Sequence, residues 1–336
     1  MNTKELIIKL SESVCLGNIT ESLALVDSLI TTGEKKYLTG NNLSVFIKGE
    51  SEHTLLIDAH IDEIGFIVTD VDDRGFLKVA CAGGFDLRTL PSHAVTVHGK
   101  EDIFAVFSSV PPHLAKDERT FDDISKLSLD TGLGSRAKEL ISVGDFVTYR
   151  QEAKSLVGNR VCGKSLDNRA GCAVLLLLAE KLKGQSLPFN VNLLFSNQEE
   201  IGCRGAKTAA FSLDANEAIS IDVSFASFPG IDAHECGKLA KGPMIGYSPV
   251  LSRATYDKLC LVAEKEGIPY QREVMGSTTS TNADALSINR DGLVTGLVSV
   301  PLRYMHSDCE VIDTKDIENT AELLYKYIMA GGALCD

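Results

Sequence analysis

Residues 164–224 read KSLDNRAGCAVLLLLAEKLKGQSLPFNVNLLFSNQEEIGCRGAKTAAFSLDANEAISIDVS, and their patterning decides the fold. The run AGCAVLLLLAEKL is too long for an ordinary strand, so 169–183 reads as a helix. The short apolar run at 190–196 reads as a strand, 205–213 as a helix and 218–222 as a second strand. The same alternation continues outward. Residues 54–58 read as a short buried strand, 255–266 as helical, 293–300 as extended and 316–329 as helical. Strands and helices in alternation predict an α/β domain: a mainly parallel or mixed sheet flanked by helices.

The middle of the chain follows another pattern. Short strand-like segments at 66–69, 76–80, 94–97, 103–109 and 145–150 are separated by Gly, Pro and Asp, with one brief helical stretch at 135–140. That composition predicts a small β-barrel or sandwich. It reads as an insertion over 66–157, which divides the α/β domain into 1–65 and 158–336. Two apolar stretches of the insertion, 104–107 and 110–112, are candidates for subunit contact. For the first, burial in the insertion's own core is the simpler expectation.

Bulk properties narrow the function. With 336 residues the chain is long enough for two domains. No apolar run approaches the ~20 residues needed to cross a bilayer. The N-terminal MNTKELIIKLSESV is interrupted by Lys4, Glu5, Lys9 and Glu12, so it reads as an amphipathic helix and not a secretion signal. The cytoplasm is the expected location. Nine cysteines, an odd number without a CxxC pair, read as reduced and mostly buried thiols. A net charge of -13 argues against nucleic acid and anionic membranes as partners. It suits a cationic substrate such as a free peptide amine, although solubility alone accounts for it.

Five segments place metal-type ligands at strand ends or loops, where open α/β sheets build their sites. They are DAHIDEIG with His60 and Asp62, KSLDNRAG with Asp167, NQEEIGCRGA with Glu199 and Glu200, SIDVS with Asp222, and RYMHSDCE with His306. Each has an ordinary alternative. His60 could be a packed histidine, and Asp167 could cap the following helix. Glu199 and Glu200 could open a solvated helix, Asp222 could open a turn, and His306 could be a surface residue near Asp308 and Glu310. As a set they are harder to set aside. Two imidazoles and three carboxylates, one of them bridging, suit two borderline divalent cations about 3.5–4 Å apart. An Asp two residues after a ligand His can orient its ring.

In order and spacing these segments resemble the glutamyl-aminopeptidase and tetrahedral-aminopeptidase family of dinuclear metallopeptidases, some of whose members carry the label cellulase M. The motifs AHIDEIGF, LDNRAGCAVLL, QEEIGCRGA, ISIDV and PLRYMHS carry the resemblance, which spans nearly the whole chain. It implies a zinc-exopeptidase-like mixed sheet with an inserted β-barrel. It also implies an aminopeptidase acting on short peptides, with two divalent ions per subunit, zinc first and cobalt or manganese as alternatives. His60 and Asp222 would each ligate one ion, Glu200 and His306 the other, and Asp167 would bridge. Glu199 would be the general base and Asp62 would orient His60. The resemblance further implies self-association, from a dimer up to a dodecamer.

The chain departs from the family at Asp308, where many members have Pro, and at 276–284 (GSTTSTNAD). These departures leave the preferred N-terminal residue open. A deacylase or carboxypeptidase on the same scaffold is the nearest alternative function. A glucanase is disfavoured, because the chain has no Trp platform and its acids come with two histidine motifs. A non-catalytic scaffold would be expected to have lost ligands or the base.

Overall fold

The structure, a computed structural model, describes residues 1–114, 123–232 and 236–333. Part of the expected insertion, 115–122, and Cys335 lie outside the described residues. Four parallel strands form the centre of an 11-stranded sheet: Val294–Arg303, Glu217–Phe225, Ser51–His60 and Phe189–Ser196, in that spatial order. Antiparallel strands extend it on both sides. Asn42–Ile47 and Glu34–Leu38 follow Phe189–Ser196, while Glu310–Asp313, Arg160–Gly163 and Lys154–Ser155 follow Val294–Arg303. A short pair, Met244–Tyr247 and Gln271–Val274, branches from Val294–Arg303.

Central parallel strands are covered on both faces, which is why they read as apolar runs. Leu55, Ile57 and Ala59 pack into one core with the helices Leu166–Leu182 and Thr314–Met329. The alternate Leu56 joins Leu194, Ala206, Ala209 and Leu286 beneath the helices Arg204–Ser212 and Asn282–Ser287 on the other face. Leu166–Leu182 is buried along nearly its whole length, so its sequence shows an unbroken apolar run in place of an amphipathic stripe. Each expected element is present, most of them a few residues longer than local pattern suggested, because sheet pairing extends the strands. Among the described residues no helix is long and apolar enough to cross a membrane.

The six strands Leu129–Asp130, Phe76–Ala82, Gly65–Val71, Phe146–Tyr149, Ala94–His98 and Asp102–Phe107 close into a barrel. It has its own core, with Phe66, Val95, Val97, Ala105, Phe107 and Leu129. The 104–107 stretch is divided by strand alternation. Phe107 is buried, whereas Phe104 is 51% exposed under the Arg150 guanidinium. Closure satisfies the strand edges that would otherwise invite pairing.

A buried ionic cluster joins the N-terminal helix Thr3–Glu12 to the strand–helix junctions. Glu63 pairs with Lys164 and with Arg169, and all three are almost fully enclosed. Arg169 also donates to the carbonyls of Leu10 and Ser13. Removing one member of such a set leaves uncompensated buried charge, at a cost of about 3–5 kcal/mol. The cluster anchors both Asp62 and Asp167, each one or two residues from a salt-bridge partner.

Candidate active site

All seven candidate residues converge at the carboxyl ends of the parallel strands. His60 is the last residue of its strand, and Asp222 lies late in the neighbouring one. Asp222 therefore opens no turn. Glu199 and Glu200 lie in the loop after Phe189–Ser196 and precede the helix that starts at Arg204, so neither is a helix start. His306 sits in the turn after Val294–Arg303, at a left-handed φ of 62°.

Asp167 is at the centre. Its Oδ1 lies 3.2 Å from His60 Nε2, and its Oδ2 lies 3.4 Å from His306 Nε2. His60 Nε2 is also 3.7 Å from Asp222 Oδ1, and His306 Nε2 is 3.5 Å from Glu200 Oε2. Among the described residues three groups result, His60–Asp167–Asp222, Asp167–Glu200–His306 and His60–Glu199–Glu200, and in each the donor atoms lie within 4.8 Å of one another. Helix capping does not occupy Asp167. Asn168 does that work, accepting from Gly171 N at 2.9 Å while its amide donates to the Ile221 carbonyl. Asp62 Oδ1 is 3.5 Å from His60 Nδ1, and the Asp62 oxygens accept from the backbone N–H of Glu199 and Glu200 at 3.0 and 3.2 Å. Asp62 thus shapes the turn that presents the two glutamates.

The charge balance of the cluster is unfavourable without added positive charge. Burial and neighbouring carboxylates push Glu199 up to about 7 and Glu200 well above the usual carboxylate range. Burial raises Asp222 as well. Burial opposes charge on His60, but Asp167, Asp222 and Asp62 outweigh it and raise that imidazole well above its ordinary value. Mixed N/O donors, close-set and crowded with negative charge, fit divalent cations.

Sequence reasoning passed over Glu310 and Asp58 as site residues. Glu310 accepts from Asp167 N at 3.1 Å and from His306 N at 2.8 Å, so one buried carboxylate ties both ligand loops together. Its signal was only its place four residues after His306. Asp58 is two residues before His60 and on the same face; it accepts from Asn282 Nδ2 at 2.9 Å, and burial pushes it up to about 7. An acid inside TLLIDAH was the available cue.

The cluster opens into a cavity of about 600 Å³, which also exposes Ser224, Met244, Glu273, Met275, Leu297 and Ser299. Fold and site together define a peptide-bond hydrolase of the aminopeptidase class, and the chain belongs to the M42 glutamyl aminopeptidase family, whose model matches residues 41–323. It is 32% identical over 289 residues to a lysyl aminopeptidase of Pyrococcus furiosus, covering 84% of this chain and 83% of that one. An aminopeptidase from the archaeon Desulfurococcus kamchatkensis has a similar structure, with TM-score 0.92, 31% identity and coverage of 98% and 95% of the two chains. The TET1 peptidase of Pyrococcus horikoshii, which can assemble into a tetrahedron or a large octahedral shell, gives 0.87, 30%, 98% and 99%.

Proposed function

We propose that this aminopeptidase binds two divalent cations per chain and removes single residues from the free N-termini of short peptides. The observation that carries this reading is the Asp167 carboxylate, which turns one oxygen toward each imidazole, at 3.2 and 3.4 Å. His60 and Asp222 would hold one ion, Glu200 and His306 the other, and Asp167 both. Such cations supply Lewis acidity and lower the pKa of water at the site.

The remaining chemistry belongs to the chain. Glu199 accepts a proton from the attacking water and returns it to the leaving amine. Asp62 holds Glu199 and Glu200 in place through their backbone amides, while Glu310 holds Asp167 and His306. The surrounding carboxylates favour a free, cationic N-terminus at the mouth of the site. Metal analysis is expected to find two ions per chain, with zinc preferred and cobalt or manganese supporting activity. Free peptides are expected to be cleaved and their N-acetylated forms left intact. Cleavage of the acetylated forms at a comparable rate would favour a deacylase or carboxypeptidase instead.

We assign the catalytic domain to 1–65 and 158–336 and the barrel-bearing insertion to 66–157. Self-association is supported by the assembly of the Pyrococcus horikoshii relative. The insertion's role is then subunit contact and restriction of access, with exposed Phe104 and Val110 available for it. Light scattering should give at least a dimer and up to twelve subunits; a monomer at high concentration with metal bound would remove the enclosure role. A cytoplasmic location agrees with nine cysteines, an odd number, and no CxxC pair in the sequence.

A further inference from the structure

The cavity beside the ligand cluster holds one carboxylate that this chemistry leaves unused. Glu273, on the Gln271–Val274 strand, accepts from Ser224 Oγ at one oxygen and from Ser299 Oγ at the other, the latter at 2.7 Å. Ser299 is the register partner of Asp222, and Ser224 lies two residues beyond Asp222 on the same strand. All three side chains therefore face one side of the sheet. Gly246, the register partner of Glu273, places no side chain between that carboxylate and the serines. A two-residue step along a strand is about 6–7 Å, so Ser224 stands roughly that far along the wall from Asp222, and the Glu273 carboxylate, bonded to both serines, spans the stretch between them.

The two serine hydroxyls are neutral and leave part of the carboxylate's acceptor capacity free. Burial, and after it the negative charge of Asp222, disfavour charge on Glu273, and the serine hydroxyls offset them only in part. Apolar side chains of Met244, Met275 and Leu297 complete this part of the cavity. An apolar wall ending in a carboxylate matches an aliphatic stem ending in a cation.

We infer that Glu273 receives the charged head of the substrate's first side chain, so that the protein prefers peptides beginning with lysine or arginine. The inference rests on the aminopeptidase reading, which places the departing residue between Asp222 and this wall. Arg272, which also reaches the cavity, would instead favour an acidic first residue. Strand alternation turns it away from the Glu273 face, however, and its guanidinium lies beside Tyr270 and Tyr256.

The test compares lysyl and norleucyl anilides, which differ in the terminal cation, with glutamyl anilide beside them on the metal-loaded protein. The lysyl substrate should have the higher kcat/KM by about ten- to hundredfold, the worth of one charge-assisted hydrogen bond. In Glu273→Gln the lysyl-to-norleucyl ratio should fall toward unity, and Glu273→Asp should restore part of it. Preference for the norleucyl or glutamyl substrate overturns the inference. So does a parallel loss on both substrates in Glu273→Gln, the signature of a clasp between strands. If Glu273→Gln does not fold, the wild-type ratio and Glu273→Asp decide. If no anilide is hydrolysed, the aminopeptidase reading fails separately, and calorimetry with L-lysinamide and L-norleucinamide decides the pocket. Tighter lysinamide binding that depends on Glu273 supports it, and equal affinities overturn it.

Discussion

Glu199→Gln is expected to lower turnover by about 10²–10⁴-fold, the usual contribution of a positioned general base, while the cation content stays at two per chain. Asp62 fixes the Glu199 backbone amide at 3.0 Å, and Cys203 Sγ lies 3.4 Å from Glu199 Oε1. Glutamine keeps the size and these contacts but cannot take a proton. Glu200→Gln provides the contrast. Its oxygen is 3.5 Å from His306 Nε2, so its loss should empty one cation position and leave the other. Metal analysis and steady-state kinetics on both variants check the pair. Loss of metal in Glu199→Gln with retention in Glu200→Gln would reverse the roles.

Asp167→Asn should have an effect at least as large, through a different route. The carboxylate serves both imidazoles, and an amide presents one oxygen and one nitrogen donor in its place. Both cation positions then lose a ligand, and hydrolysis should fall further than the 10–100-fold typical of losing an outer-shell partner. Metal analysis should find fewer than one ion per chain. Because Asn168 supplies the helix cap and Glu310 still accepts from the residue 167 amide, the fold should survive. Thermal unfolding of the metal-free forms checks this. Two retained ions in the variant would show that Asp167 does not bridge.

Much of the fold was legible because it rests on local regularity. The unbroken run from Ala170 to Ala179, the alternation of helix and strand after it, and the Gly- and Asp-punctuated strands before it each reflect patterns within a few residues. The candidate ligands were legible for a chemical reason. Imidazoles and carboxylates at the ends of apolar strands have few other uses when several such segments occur together.

Where a residue has two plausible local jobs, pattern alone could not choose. Asp167 and Asn168 are both good helix caps, and only the packed structure gives the cap to Asn168 and leaves Asp167 free. The insertion's strands could have formed a sandwich with open edges, but pairing of Leu129–Asp130 with both Phe76–Ala82 and Asp102–Phe107 closes the ring.

The sequence by itself determined which residue types could bind cations and which stretches would become strands and helices, since propensity and periodicity act over one or two turns. Tertiary structure decided the partnerships: Glu310 with Asp167 and His306, Glu63 with Lys164 and Arg169, Glu273 with Ser224 and Ser299. These pairs depend on strand register and helix packing between distant segments. A shift of one residue in a strand would turn Glu310, Glu273, Ser224 or Ser299 to the opposite face.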